Sequence, residues 1–586
     1  MWGVAIAAGC ALLLAGCVTV PTSGHVQSVN VTQGGTSGGQ SYLQPIPVSP
    51  GHGWSPQQIV SGFLAANASF ANGHAVAREY LTPSANRSWH PGWAVRVFGQ
   101  SPSIVTPVRS PYSGRTAATT VVEVSGPVQG NVSNSGQYAI SPQGQAAAPQ
   151  KFQLVRQDGE WRISSLPGVV LLTEADFVHV YQPRNIYFFD PAMQVLVPDP
   201  VYVPQAATPA DLVTQLLQVL LAAPSGWLLG AARTAFPAGT RLLNVSLDGG
   251  TAIVDLSGPV AGASDQTFRR MSAQLLWTLA GSSADQPSIQ SVELEVKGVP
   301  RPLLGSGSPV QQIGSYAGYV PSAAGHASFY YADSRGAVRS LSGSTQANAP
   351  QGAPAPGQAG TGQVSLDQVA VSPDGRYVAG IGPGGALYTG RLARDATLAL
   401  RAAGPFTSLS WDTQDGLWAV GGGQVWLVPG HGGALTQVTS TLGAGQRITA
   451  LKVAPDGVRC AMLVTGSGGP QLMLAAIVHS GSQASIGPAV PISSQNGNFI
   501  ALTWYDADHV IVLSRPSGNP VLDEVAINGE TLVPVPAQEG TVSITADGSA
   551  NPLVAGLSNG QMATLASLGG LWSGVVGAGR APAYPG

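Results

Sequence analysis

Residues 372–379 read Ser-Pro-Asp-Gly-Arg-Tyr-Val-Ala, and residues 454–461 read Ala-Pro-Asp-Gly-Val-Arg-Cys-Ala. Similar turns, each followed by an apolar run, recur along this part of the chain. The aligned residues of the five copies are Pro373, Trp411, Pro455, Trp504 and Ala546, which stand 38, 44, 49 and 42 positions apart. Because β-propeller blades repeat every ~40–50 residues, the spacing predicts an all-β propeller of about six blades over residues 321–586.

The aspartates that recur in these turns are predicted to have a structural role rather than a catalytic one. Each Pro-Asp-Gly or Trp-Asp unit reverses the chain before the next strand of a four-stranded blade. A catalytic carboxylate is not needed once per blade, so the repetition favours a structural role. Within the propeller, residues 342–362 are rich in Pro, Gly, Ala and Gln and predict a disordered insertion.

The segment before the propeller, residues 186–300, combines predicted strands with predicted helices. The strands cover 186–189, 194–198, 241–247, 251–256 and 291–296, and the helices cover 211–223 and 267–279. The turn Asp248-Gly249-Gly250 favours a hairpin between two of these strands. Asp255 stands at a strand end, where capping or turn duty is favoured over ligand binding. We expect an α+β domain followed by a linker over residues 301–320.

The first folded segment, residues 53–185, begins with helices. Ser55-Pro56 is typical of a helix start with proline in the first position. A second short helix is predicted over residues 74–81, ended by Pro83. The local histidines are His74, His90 and His179, and each is more consistent with a structural or surface role than with catalysis.

The same segment ends in predicted strands over 103–109, 117–124, 151–156 and 161–165. Asp158-Gly159 lies between the last two strands and predicts a hairpin turn. Residues 126–150 are predicted to form an extended loop. Helices followed by an antiparallel sheet make this a second α+β domain.

The amino-terminal residues predict an export signal. Residues 4–16 are an apolar run of 13, shorter than the ~20 residues that a membrane-spanning helix needs. The run ends in Leu14, Ala15, Gly16 and Cys17, a sequence that resembles the bacterial lipobox, in which the cysteine receives the lipid. We therefore predict a signal peptide over residues 1–16. It holds no Lys or Arg, so either the true start lies upstream or the export signal is weak.

Residues 17–52 are rich in Gly, Ser, Thr, Gln and Pro and predict a flexible tether. A tether of this length has a mean reach on the order of 30 Å. With lipid on Cys17, it would hold the folded domains away from the membrane surface.

Composition and motifs exclude several function classes. Only 9% of the 586 residues are charged and the formal net charge is −3, with no basic patch of the kind that nucleic-acid binding needs. The sequence contains no phosphate-binding Gly-x-x-x-x-Gly-Lys, no His-Glu-x-x-His, no spaced cysteine pairs and no Gly-x-Ser-x-Gly. Cys460 is expected to be a small buried side chain. We predict a protein without cofactor or metal, and a binding protein rather than an enzyme.

The order of modules resembles the LpqB family of actinobacterial lipoproteins over essentially the whole chain. The first segment resembles the NTF2-like cone and the second resembles the GerMN domain. Carrying the resemblance are residues 14–17, 78–83, 158–163, 236–240 and 254–257, together with the Pro-Asp-Gly turns.

This resemblance implies a lipid-anchored protein on the outer face of the cell membrane. It implies an accessory regulator that contacts the extracellular domain of a two-component sensor kinase of the MtrA/MtrB type and affects cell-envelope homeostasis and division. The alternative is a cell-wall glycan-binding protein or hydrolase that uses the propeller channel or the NTF2-like pocket. The sequence does not predict an oligomeric state.

Overall fold

The computed structural model describes most of the chain after the amino-terminal segment. The described residues are 47–69, 73–89, 94–107, 119–141, 148–280, 289–303, 308–320, 328–342, 352–430, 432–481, 483–493, 497–535, 537–548, 552–576 and 578–586. The predicted signal peptide, Cys17 and most of the tether lie outside them. The described residues, which begin at 47, form one compact unit. Within the described ranges, no helix is long and apolar enough to cross a membrane.

The first domain has helices α1 (Pro56–Asn67), α2 (Ala75–Glu79), α3 (Pro83–Ser88) and α4 (Glu174–Val180), and strands β1 (Val95–Phe98), β2 (Ser103–Val105), β3 (Thr119–Ser125), β4 (Val128–Val132), β5 (Tyr138–Ile140), β6 (Gln150–Gln157), β7 (Glu160–Ser165) and β8 (Val170–Thr173). The strands form two sheets in the orders β5-β4-β1-β8 and β2-β3-β6-β7. Helix α1 starts as predicted, because Ser55 and Gln58 form a reciprocal capping box. Phe63, Tyr80 and Phe152 are buried in its core.

Two predictions for this domain are wrong, and a third is incomplete. The predicted loop over residues 126–150 contains β4 and β5, because β4 pairs with the buried strand β1. Pro83 does not only end a helix: it starts α3, with Thr82 as the cap. The last residues of the predicted tether lie against the domain, where the hydroxyl of Tyr80 donates to the Val48 carbonyl at 2.6 Å.

The second domain has strands β9 (Tyr181–Phe189), β10 (Leu196–Pro204), β11 (Leu242–Asp248), β12 (Thr251–Leu256), β13 (Ser291–Val296), β14 (Val299–Pro300) and β15 (Val310–Gln312), and helices α5 (Pro209–Ala222) and α6 (Asp265–Leu279). The hairpin β11–β12 forms around the predicted turn. Strand β9 starts at Tyr181 and therefore crosses the predicted border at 185/186. The predicted linker over 301–320 is wrong in its second half, because β15 pairs with β13 and Tyr316 is buried.

The third domain is the predicted β-propeller. Its strands are β16 (Ser328–Ala332), β17 (Val338–Ser342), β18 (Ala353–Pro354), β19 (Gln368–Val371), β20 (Tyr377–Ile381), β21 (Leu387–Arg391), β22 (Leu398–Ala402), β23 (Phe406–Trp411), β24 (Leu417–Gly421), β25 (Gln424–Val428), β26 (Thr436–Ser440), β27 (Arg447–Val453), β28 (Arg459–Gly466), β29 (Gly469–Ser480), β30 (Gln483–Ile486), β31 (Val490–Pro491), β32 (Phe499–Trp504), β33 (His509–Ser514), β34 (Val521–Ala526), β35 (Thr531–Val535), β36 (Thr541–Thr545), β37 (Leu553–Leu557), β38 (Met562–Leu565), β39 (Trp572–Val576) and β40 (Arg580–Ala583).

These strands form six blades within the described residues, as the repeat spacing predicts. The innermost strands of blades 2 to 6 are β19, β23, β27, β32 and β36. Blade 1 combines β16, β17 and β18 with β40, which is the innermost strand and pairs antiparallel with β16. Strands from the two ends of the domain therefore close the ring. Blades 3 and 4 are also linked at their outer edge, where β30 pairs with both β26 and β29.

The predicted disordered insertion over 342–362 is wrong for its described part. Residues Ala353–Pro354 form the edge strand of blade 1, and Ala355 and Ala359 are buried in the propeller core. The remaining residues, 343–351, lie outside the described residues. Small side chains explain the error, because alanine packs between blades without giving a strong periodic signal.

The second domain is joined to blades 4 and 5 by one continuous hydrophobic cluster. Val201 and Trp227 of the second domain belong to it, together with Leu474, Ile492 and Ile527 of the propeller. The second and third domains therefore share one hydrophobic core.

The first domain is joined to the second through a backbone hydrogen bond. The amide of Tyr202 donates to the Gly136 carbonyl at 2.7 Å. Gly136 has a φ of +78°, and a Cβ there would stand 2.9 Å from the Tyr202 carbonyl oxygen. Only glycine permits this close approach.

Candidate functional site

The turn aspartates accept hydrogen bonds from their own turns. The Asp412 carboxylate accepts the amides of Gln414 and Gly416 at 2.8 and 2.7 Å, and the indole N–H of Trp418 at 2.8 Å. The Asp374 carboxylate accepts the Ser372 hydroxyl and a backbone amide. These hydrogen bonds fix the turns that follow the innermost strands β19 and β23, which is the structural role that repetition predicts.

In blade 4 the turn carboxylate is part of a buried ion pair. Nε of Arg459 donates to Asp456 at 2.6 Å, and both side chains are fully buried. The guanidinium lies over the Trp504 ring, 5.1 Å from its centroid, and also donates to the Ala507 carbonyl. This pair ties blade 4 to blade 5.

The other reactive side chains that the sequence offers are also used within the fold. Asp255 accepts the amide of Gly298 at 2.9 Å, which is a turn role. Cys460 is fully buried, and burial raises the pKa of its thiol. Burial also lowers the pKa of His74 to about 4. Its imidazole makes a T-shaped contact with the Trp89 ring. His179 contacts the Ala175 carbonyl of its own helix through Nδ1. His90 lies outside the described residues.

The described residues contain no group of three or more His, Cys, Asp or Glu side chains that could hold a metal ion.

A cavity of about 210 Å³ lies at the mouth of the propeller channel, on the side where the innermost strands end. All six blades contribute to its wall, which includes Trp411, Lys452, Thr503, Thr545 and Tyr584. We refer to this cavity as the channel mouth. The backbone of Gly586 crosses its edge and donates to the Val371 carbonyl at 2.9 Å.

Side chains at the channel mouth link β23 to β27, β32 to the end of β36, and β36 to the end of β40. The hydroxyl oxygens of Ser410, Thr503 and Thr545 accept the amides of Val453, Ala546 and Tyr584, at 2.9, 3.1 and 3.2 Å. Lys452 donates from Nζ to the Leu409 carbonyl at 2.8 Å. The sequence did not reveal this arrangement, because its members come from different blades. Its one signal was that Lys452 is among only three lysines, with Lys151 and Lys297.

A helical and sheet-rich first domain, a second α+β domain and a six-bladed propeller define a multidomain propeller protein. Models of three families match these parts: "Lipoprotein LpqB, N-terminal domain" over residues 49–178, "Sporulation and spore germination" over 185–302, and "Lipoprotein LpqB beta-propeller domain" over 341–585.

Curated relatives align with nearly the whole chain. "Lipoprotein LpqB" of Thermobifida fusca is 31% identical over 87% of this chain and 87% of its own length. The protein of the same name from Streptomyces coelicolor is 30% identical over 100% and 97%, and that of Mycobacterium tuberculosis is 27% identical over 87% and 86%. The chain belongs to the LpqB family of lipoproteins.

Proposed function

We propose that the chain is a lipid-anchored, non-enzymatic protein of the outer membrane face that regulates a two-component sensor kinase of the MtrA/MtrB type. In this role it contacts the extracellular domain of the kinase and affects envelope homeostasis and division. One observation carries the proposal: the turn carboxylates and the side chains of Asp255, His74 and Cys460 are hydrogen-bonded or buried within the fold. The relatives in this family are named lipoproteins.

The anchor is the first part of the proposal. Lipid on Cys17 restricts the chain to the membrane surface, which raises its effective concentration near a membrane-bound partner. We expect Cys17→Ser to move the protein from the membrane fraction to the aqueous fraction. Cys460→Ala is the matched control and should leave the membrane fraction unchanged, because Cys460 is buried. A Cys17→Ser protein that stays with the membrane would contradict lipid anchoring at this residue.

The partner is the second part. The three domains pack as one body, which can present a surface made from more than one domain. We expect the full-length protein to bind the immobilised extracellular domain of the sensor kinase saturably, without turnover of muropeptides. Absence of binding together with saturable glycan binding or hydrolysis would support the cell-wall alternative.

A further inference from the structure

Strand β11 is an open edge of the sheet in the second domain. The sheet runs in the order β11-β12-β13-β14, so β12 covers one side of β11 and no described strand covers the other. The opposite edge, β14, is two residues long and contains Pro300, and both features hinder strand addition. Strand β11 has seven residues and no proline, and its Leu243 is 52% exposed. Its outer side is therefore accessible to another strand.

The pairing of β11 with β12 determines which backbone groups face outward. Asp248 and Thr251 flank the two-residue turn and form the last pair of the hairpin. At the other end, the amide of Ser257 donates to the Arg241 carbonyl at 2.9 Å. Between these two points the register shifts at the bulge residue Leu243. Hydrogen-bonded and non-hydrogen-bonded pairs alternate in an antiparallel ladder, so the outward backbone groups belong to every second residue. These residues are Leu242, Val245 and Leu247.

The outward groups of β11 are complementary to those of a second β11 strand. In an antiparallel pair with a twofold axis at Val245, Leu242 of one copy lies opposite Leu247 of the other, since the bulge residue Leu243 is left out of the count. The backbone N–H and C=O groups that face outward then meet in hydrogen-bonded pairs on both sides of the axis. The edge can therefore extend into a continuous sheet across two copies.

The charges at the ends of β11 match in the same pairing. Arg241 lies directly opposite Asp248 of the other copy, and the twofold axis produces this contact twice. Both residues are exposed, and neither belongs to an ion pair within the described ranges. Opposite charges that face each other across an antiparallel pair are stabilising. This charge complementarity favours a second copy of the chain as the occupant of the edge.

One face of β11 also has room for apolar side chains from a neighbouring strand. Leu242, Val245 and Leu247 pack against the core of the second domain and remain only partly buried. A groove of about 490 Å³ lies between β11 and helix α5, where Thr214 and Gln218 form the helix side. In a paired dimer, the same leucines and valine of the second copy would lie beside this groove.

We propose that β11 is a dimerisation edge, at which two copies of this chain associate by antiparallel pairing of their β11 strands. The twofold axis passes through the Val245 pair, and the Arg241–Asp248 contacts close both ends. This surface is separate from the kinase contact proposed above, and neither requires the other.

Sedimentation velocity of the full-length protein tests the association. The protein is kept in detergent with micelles in excess over protein, so that two copies rarely share a micelle by chance. We expect a dimer whose fraction rises with protein concentration. Asp248→Arg and Arg241→Asp should each weaken the dimer about tenfold, because like charges then face each other at both ends.

The charge-swapped double variant, Arg241→Asp with Asp248→Arg, should restore the dimer to within about threefold of the wild type, because opposite charges again face each other. Arg394→Asp changes an exposed arginine of the propeller and is the matched control, with the dimer affinity of the wild type. Since the changed side chains of β11 are exposed, the variants should keep the melting temperature of the wild type.

Disulfide formation tests the register without changing a charge. Asn244 of one copy lies opposite Ser246 of the other in a non-hydrogen-bonded pair, where Cα atoms stand about 4.5 Å apart, within disulfide range. A mixture of Asn244→Cys and Ser246→Cys proteins should therefore oxidise to a covalent dimer. Either variant alone should do so far less, because like residues then stand diagonally, about 7–8 Å apart. This test stands even if a charge variant does not fold.

Three results would overturn the proposal. The first is a protein that stays monomeric at every concentration and forms no mixed disulfide. The second is a dimer whose affinity is the same in the wild type and in both folded single charge variants, since another surface would then join the copies. The third is protection of the β11 amides from hydrogen exchange only when the extracellular domain of the kinase is added, which would assign the edge to that partner.

Discussion

At the scale of the residue, hydrogen bonds to buried carboxylates stabilise this fold. Asp412 receives three N–H donors, and Asp456 receives the guanidinium of Arg459. Removing such an acceptor costs more than one hydrogen bond, because the donors remain buried without a partner.

Asp412→Ala should therefore destabilise the protein strongly. The change leaves two amides and the Trp418 indole N–H without their acceptor, and we expect a loss of roughly 3 kcal/mol in the free energy of unfolding. Urea unfolding of the wild type and the variant at pH 7 measures this loss in the free energy of unfolding. Asp374→Ala is the matched control in an exposed turn, with an expected loss of about 1 kcal/mol. Equal losses in the two variants would show that burial of the turn does not matter.

His74 should make the stability of the first domain depend on pH. Its pKa is about 4 in the fold, and an unfolded histidine has a pKa of ~6.5, so the unfolded state binds more protons between these values. Stability is complete above about pH 6.5 and falls by roughly 3 kcal/mol as the pH drops to about 4. Urea unfolding at pH 7 and pH 4.5 checks this.

The matched variant for this pH effect is His74→Asn, because asparagine tolerates the left-handed backbone that His74 adopts, with a φ of 62°. It should show a shallower loss of stability on acidification than the wild type. His179→Asn, at an exposed histidine, should follow the wild type. A wild-type slope in His74→Asn would mean that other groups cause the acid sensitivity.

At the scale of the element, the best-predicted features are those set by local chemistry. Ser55 with Pro56 starts α1, Asp158-Gly159 turns the hairpin β6–β7 with positive φ at both residues, and the Pro-Asp-Gly turns mark the blades. Strands β4 and β5 were missed because β4 contains Gly130 and Asn131, which weaken a strand signal, and its pairing with β1 is made by tertiary contact.

Strand β40 is the element that closes the propeller. A chain that ends after residue 578 should lose it, leaving β16 without its inner partner. We expect a fall of roughly 10 °C or more in the melting temperature, because an innermost strand packs on both neighbouring blades. A synthetic peptide of residues 579–586 should restore part of the loss. An unchanged melting temperature would show that the ring does not depend on this closure.

At the scale of the whole molecule, the domains support one another. The isolated propeller, residues 321–586, would expose the apolar surface around Leu474, Ile492 and Ile527 that the second domain covers. We expect it to self-associate and to melt below the full chain, because large exposed apolar patches promote association. Residues 181–586 form the matched control, which keeps the covering domain and should remain monodisperse. Equal behaviour of both fragments would contradict the shared core.

The channel mouth was beyond prediction for a geometric reason. Ser410, Lys452, Thr503 and Thr545 are far apart in sequence, and each of them taken alone resembles an ordinary strand residue. Only closure of the ring brings their side chains to one cavity. The repeat could predict that a channel exists, and it could not predict which polar groups face it.

The position of β40 also bears on how the protein is made. Under the export proposed above, the polypeptide would cross the membrane amino end first, and β16 would emerge about 250 residues before its partner β40. Contacts between such distant segments form slowly. Blade 1 therefore stays one strand short until the trailing end arrives, and during that interval its open edge is exposed to wrong pairing.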